Sequence, residues 1–239
     1  MTLDGKRVVV LGGTNGIGFA TARAAAEQGA AVVVASSRQA TVDKALAELP
    51  AGTTGEAVDL ADEAQVSALF DRLGEFDHLV FTAGEALRLG ALSQLDLAAA
   101  KQFLNVRYWG SVTAVKYAAP RIRPGGSIVL TTGSASQRAQ AGWALGASVC
   151  GAVESLAREL AVELAPLRVT AVRPGLVRTD LWRDVPAGDR DALFTGYAQA
   201  LPVGRVGEAD DIALGYLYLM NQEYGTGTVL TVDGGGLLV

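Results

Sequence analysis

The chain is poor in the residues that staple, anchor or coordinate. One cysteine, Cys150, stands among 239 residues. That excludes an intramolecular disulfide framework and suits a reducing compartment. There is one histidine, His78, inside an apolar strand pattern, where a satisfied structural histidine is the expected role. No metal site is expected. Basic blocks are missing and the net charge is −5, which argues against nucleic acid as a main partner. No apolar run is long enough to span a bilayer, and no signal-peptide pattern is visible, so a soluble cytoplasmic protein with no membrane partner is expected. Lysine is scarce too: Lys6, Lys44, Lys101 and Lys116 are the only four, and nothing beyond Lys116 can supply an ammonium group.

What is present is a glycine turn in a telling context. Val8-Val9-Val10-Leu11 runs into Gly12-Gly13-Thr14-Asn15-Gly16-Ile17-Gly18, which opens an Ala-rich segment continuing to Gln28. Strand, glycine turn and helix together make a phosphate cradle. Gly12 permits a sharp turn, Gly16 leaves room for a pyrophosphate, and Gly18 lets helix pack close to strand. The free N–H groups of the first helical turn, with the dipole, favour an anion there.

Half the residues are hydrophobic and 19% are charged, which fits an ordered globular chain. Strand patterns are expected at Arg7–Leu11, Ala31–Ala35, Ala57–Val58, His78–Phe81, Ser127–Thr131, Arg168–Val172 and Val229–Val232. Helical patterns lie near Ile17–Gln28, Asp43–Leu49, Asp62–Leu73, Leu97–Ala118, Ala144–Leu164 and Glu208–Met220. This alternation predicts one Rossmann-type α/β domain over residues 1–239: a doubly wound parallel sheet of about seven strands with helices on both faces. Its ligand crevice should lie at the carboxyl ends of the strands. The stretch 175–206 reads as irregular, a candidate lid or substrate segment.

The second strand ends Ala35-Ser36-Ser37-Arg38. Rossmann-type sheets that select NAD place a carboxylate there to hold the ribose hydroxyls. None is present, and Ser36, Ser37 and Arg38 suit a 2′-phosphate. NADP(H) is therefore favoured, with NAD(H) as the alternative.

At this point the chain resembles the short-chain dehydrogenase/reductase family over almost its whole length. The glycine turn is similar to T-G-x-x-x-G-x-G, with Leu11 replacing the threonine. Asp59-Leu60 resembles the pair that contacts adenine. Phe81-Thr82-Ala83-Gly84 resembles N-N-A-G with both asparagines lost. Asn105 stands for the helix asparagine, Pro174-Gly175 and Thr179 for the segment beside the nicotinamide, and Val232-Asp233-Gly234-Gly235 for the C-terminal V-D-G-G. The resemblance implies a nucleotide site built from Gly12, Thr14, Asn15, Gly16, Ile17, Gly18, Ser36, Ser37, Arg38, Asp59, Leu60, Ala83, Gly84, Pro174, Gly175 and Thr179.

The family's carbonyl chemistry uses a serine, a tyrosine as acid and a lysine four residues on. Here the Tyr-Gly-Ala-Ser-Lys stretch reads Leu145-Gly146-Ala147-Ser148-Val149. Leucine and valine move no protons. Thr132 and Ser134 after the strand, with Asn105, are the candidate catalytic residues. At about 100° per residue Tyr108 shares a helix face with Asn105, while Arg107 points away; packing is the expected role of Tyr108. Leu181, Trp182, Phe194 and Tyr197 form an apolar lid or a small core of their own. Hydride transfer between NADP(H) and a small carbonyl, alcohol or quinone-type substrate is one reading. A catalytically impaired sensor or structural subunit is the other. The resemblance also implies a homo-oligomer, a dimer or tetramer.

Overall fold

A computed structural model describes residues 2–239. Seven strands form one parallel sheet in the order β3-β2-β1-β4-β5-β6-β9. They are β1 (Arg7–Leu11), β2 (Ala31–Ser36), β3 (Thr54–Ala57), β4 (Phe76–Phe81), β5 (Ile122–Thr131), β6 (Arg168–Pro174) and β9 (Val229–Val232). A two-residue ladder pairs β7 (Val177–Arg178) with β8 (Gly207–Glu208) outside the sheet. The helices are α1 (Gly16–Glu27), α2 (Gln39–Glu48), α3 (Glu63–Leu73), α4 (Leu97–Gln102), α5 (Ser111–Ala118), α6 (Ala144–Glu163), α7 (Ala187–Ala200) and α8 (Ala209–Asn221).

The central strands are apolar on both sides because both faces are covered. In β1, Val9 and Leu11 pack with α3, α5 and α6 through Leu69, Phe70, Val115 and Val153. Val8 and Val10 face the other layer, where Ala22 and Ala25 of α1 meet Ile212, Tyr216 and Leu219 of α8. Small residues on α1 let the two helices approach closely. Burial of each β1 valine contributes about 1.5–3 kcal/mol relative to exposure.

The topology and the seven strands match the expected architecture. Two segments differ from the sequence pattern. Residues 175–206 are not irregular throughout: α7 occupies fourteen of them, anchored by Phe194 against Trp182 and Val206. Their apolar positions serve this satellite cluster, so no clean amphipathic period marks the helix. The continuous helix expected over Leu97–Ala118 is interrupted by a π-helical turn at Asn105–Gly110. There the Leu104 carbonyl accepts from both Tyr108 and Trp109.

The end of the sheet opposite the crevice holds the chain's histidine. His78 is 3% exposed, and its Nδ1 lies 2.9 Å from Ser127 Oγ on β5. Burial pushes its pKa down to about 4. Beside it Asp77 accepts from the Arg7 backbone N–H at 2.8 Å and faces Lys6 and Arg123. A neutral folded histidine is a proton-poor state. Its contribution to stability is whole above the unfolded value of 6.5 and is lost as pH falls toward 4. Denaturant midpoints should therefore drop on going from pH 7 to pH 5, and His78→Asn, though less stable at pH 7, should flatten that slope.

Candidate active site

The strand order reverses between β1 and β4, and ligands of open α/β sheets bind at such a switch point. A crevice of about 400 Å³ opens there. Two glycines make it possible. Gly12 has φ +88°, and a methyl group on it would lie 2.6 Å from Ala83 N. A methyl on Gly18 would strike the Gly12 carbonyl. The turn after β1 thus lies flat against the end of β4, and α1 starts directly behind it. Asn15 precedes α1 without a side-chain cap, and no acidic residue stands in the first turn. The positive end of the helix is left facing the crevice with no internal anion on it. These features fit a dinucleotide pyrophosphate.

The remaining wall follows the strand ends. Ser36 and Ser37 come from β2, and Val58, Asp59 and Leu60 from the turn after β3. Thr82, Ala83 and Gly84 follow β4, Thr131 ends β5, and Thr132 and Ser134 follow it. Pro174 ends β6, Gly175 and Thr179 follow it, and Thr179 crosses over Gly16, 3.3 Å from where a methyl group would sit. Leu87, Trp143, Leu181, Trp182 and Tyr197 form an apolar outer end. The rings of Trp143 and Trp182 lie 6.2 Å apart, and Trp182 meets Phe194 edge-on at 6.1 Å. Indole Nε1 of Trp182 donates to the Val177 carbonyl at 3.0 Å, so this large side chain is buried with its polar atom satisfied.

A sequence model described as an SDR-like Rossmann domain matches residues 2–239. The short-chain dehydrogenase/reductase ucsE of Acremonium sp is 40% identical, with 99% of this chain and 97% of that protein covered. The chain belongs to the short-chain dehydrogenase/reductase family. It is an oxidoreductase by that membership. A crystal structure of a small-chain dehydrogenase in complex with NADPH is similar at TM-score 0.89 and 39% identity, covering 99% of this chain and 100% of that one. The MalC reductase/Diels-Alderase of Malbranchea aurantiaca is similar at TM-score 0.91 and 31% identity, over 99% and 98% of the two chains.

All the nucleotide positions expected of this short-chain dehydrogenase/reductase line the crevice except Arg38, while Asn105 and Leu145, expected near the chemistry, stay outside it. Arg38 precedes α2 as an exposed residue and is outside the lining, although Ser36 and Ser37 are within it. Asn105 is exposed and also outside it. Tyr108 packs at the core edge and against Trp109, ring centroids 5.1 Å apart. The residues that reach the crevice from this segment are Phe103, Val106 and Arg107, the last of them the charged one. The π-helical turn is the reason: reckoning at α-helical pitch fails where the ladder widens to i→i+5.

A further correction concerns α6. Leu145 does not line the crevice; Gly146, Val149 and Cys150 do. The pair four apart that faces the site is therefore Gly146 and Cys150, one residue later than the sequence match suggests. Neither register holds a tyrosine or lysine. Tyr197 on α7 carries the one phenol in the lining, and its hydroxyl accepts from Gln140 Nε2 at 2.6 Å.

The two hydroxyl candidates behave differently. Ser134 makes no side-chain hydrogen bond among the described residues. The Thr132 hydroxyl lies 3.0 Å from both the Cys150 carbonyl and Glu154 Oε1, so its proton serves those acceptors. Glu154 is the hub of a buried knot. It also accepts from Ser136 and, in a two-pronged pair, from Arg173 Nε at 2.9 Å and Nη2 at 2.7 Å. Burial would raise its carboxyl pKa, but these donors hold it below the usual range. The knot ties the loop after β5 to α6 and β6, which form one wall. Nothing in the local sequence marked it, since its members lie on three elements. Glu154→Leu should cost about 3–5 kcal/mol by leaving Arg173 buried and unpaired, read as a lower midpoint in denaturant unfolding.

Proposed function

We propose that the protein transfers hydride between NADP(H) and a small, fairly apolar carbonyl, alcohol or quinone-type substrate. The observation that carries this is the open glycine cradle against β4 beside an aromatic-walled outer cavity. The ADP end would lie along Ser36, Ser37, Asp59 and Leu60. The pyrophosphate would lie against Gly16 and the start of α1, and the nicotinamide near Ala83, Gly84, Pro174, Gly175 and Thr179. The bound cofactor supplies or takes the hydride. The chain's own residues orient it and exclude water; Ser134 holds a substrate oxygen. The proton comes from solvent, because no tyrosine–lysine pair lines the site. Ordinary ketones should turn over slowly, since general-acid help is worth roughly 10²–10⁴-fold.

NADP(H) is favoured by the absence of a carboxylate after β2 and by Arg38 at its edge. A related small-chain dehydrogenase solved with NADPH supports the same choice. Leu238 and Val239 are exposed apolar side chains at the C-terminus, and their cover in a homo-oligomer belongs to this reading. A second reading, NADP(H) binding without turnover, draws on the same missing pair.

Fluorescence titration separates these accounts. NADPH should bind more tightly than NADH, and Arg38→Ala should weaken NADPH by about tenfold, or 1.4 kcal/mol, while leaving NADH unchanged. Gly16→Val should reduce NADPH affinity by roughly 100-fold, since a branched side chain fills the pyrophosphate position. A panel of quinones, dicarbonyls and plain ketones should show NADPH loss with the first two. No substrate-dependent loss with any of them, despite tight NADPH binding, would select the second reading.

A further inference from the structure

One half-buried cation of the crevice wall, Arg107, takes no part in the proposed hydride transfer. Arg107 reaches into the crevice from the π-helical turn and lies flat on Gly84; a methyl group there would come within 2.5 Å of Cζ. Its Nη2 donates to the Glu85 carbonyl at 2.6 Å. Its Nε is buried and makes no hydrogen bond. The nearest carboxylate oxygen, Glu85 Oε2, is 3.9 Å from Nε. The Glu85 carboxylate is committed elsewhere, accepting from the backbone N–H groups of Val106 at 2.6 Å and Arg107 at 3.3 Å that the π turn frees. An orphaned buried donor is destabilising, because it has given up water without gaining a partner. A ligand oxygen would remove that cost.

The surroundings define which oxygen. Across from Arg107, Cys150 stands on α6 with Gly133 against it; burial pushes the Cys150 thiol up, so it stays neutral. Burial also pulls the guanidinium pKa down, yet arginine remains charged at any working pH. Phe103, with its ring centroid 5.7 Å from Cζ, and Val106, Val149 and Leu87 supply apolar walls. A fixed cation in such a setting stabilises developing negative charge far better than it would in water.

We propose that Arg107 is the oxyanion-binding group of this site and that the substrate it serves is a quinone, reduced to a phenolate held against the guanidinium. This rests on NADP(H) occupying the crevice. Hydride delivery breaks a C–H bond of the reduced cofactor and forms a bond to the quinone. The quinone gains two electrons: one oxygen ends as a hydroxyl and the other carries the electron pair as a phenolate. NADP⁺ remains, and the phenolate takes a proton from water on release. A phenol is a far stronger acid than an alcohol, with a pKa near 10 in the tyrosine case. Its anion forms without a partner acid, where an alkoxide from a plain ketone would not. An arginine in place of a tyrosine–lysine pair suits that product.

The test is a spectroscopic one on the full chain saturated with NADP⁺. 4-Nitrophenol is titrated in at one pH unit below its own pKa, and the phenolate band is followed. Wild-type protein should raise the probe's acid constant about tenfold or more. Arg107→Gln, checked for fold by circular dichroism, should return it to the solution value, and Arg107→Lys should keep part of the shift. Arg138→Gln should leave it intact, because that guanidinium at the outer end already donates to the Gly236 carbonyl at 3.0 Å. No shift in the wild type, a shift surviving in folded Arg107→Gln, or its loss in Arg138→Gln would each overturn the proposal. Should Arg107→Gln not fold, the wild-type, lysine and Arg138 arms still decide. Absence of NADPH binding by the wild type would instead overturn the cofactor reading beneath it.

Discussion

The approach of one loop to one strand end underlies everything else in this protein. The turn after β1 presses on the Ala83 backbone and the Thr82 hydroxyl, an approach that only the bare Gly12 and Gly18 allow. That contact sets where α1 begins, and so where its unsatisfied N–H groups point. The crevice, the order of its lining and the expected place of a nucleotide all follow. Any side chain at either position would push turn and strand apart and move the helix terminus off its target.

A second constraint is polar. The wall opposite the glycine turn is built by three elements that share no sequence neighbourhood: the loop after β5, α6 and β6. Glu154 and Arg173 join them through a buried, hydrogen-bonded ion pair. Such pairs contribute less to net stability than to uniqueness of arrangement when all their polar atoms are satisfied. Here every oxygen of Glu154 has a donor. Arg107 contrasts with this pair: its side chain is only half-buried, yet its Nε is buried and left without a partner.

Two substitutions of scale separate this site from the family pattern described by the sequence motifs. On α6, Gly146 and Cys150 face the crevice beside Val149, and their small side chains widen the cavity rather than donate protons. The helix facing them contributes a cation. The site has thereby exchanged proton-transfer groups for space and positive charge. Its aromatic outer end, built on Trp143, Trp182 and Tyr197, favours flat apolar ligands for the same reason that these rings pack on each other.

The sequence by itself determined the doubly wound parallel sheet and the glycine cradle. These rest on local patterns: apolar runs, turn glycines and their spacing within a few residues. It also made plain, by counting lysines, that no ammonium group follows residue 116. Only the tertiary structure decided which side chains meet in the crevice. One residue along an α-helix is about 100°, so a one-place slip exchanges Leu145 for Gly146. A single π turn likewise exchanges Asn105 for Arg107. The α7 helix and the Glu154 knot were hidden for a related reason: their stabilising partners are distant in the chain, and periodicity reports only on neighbours.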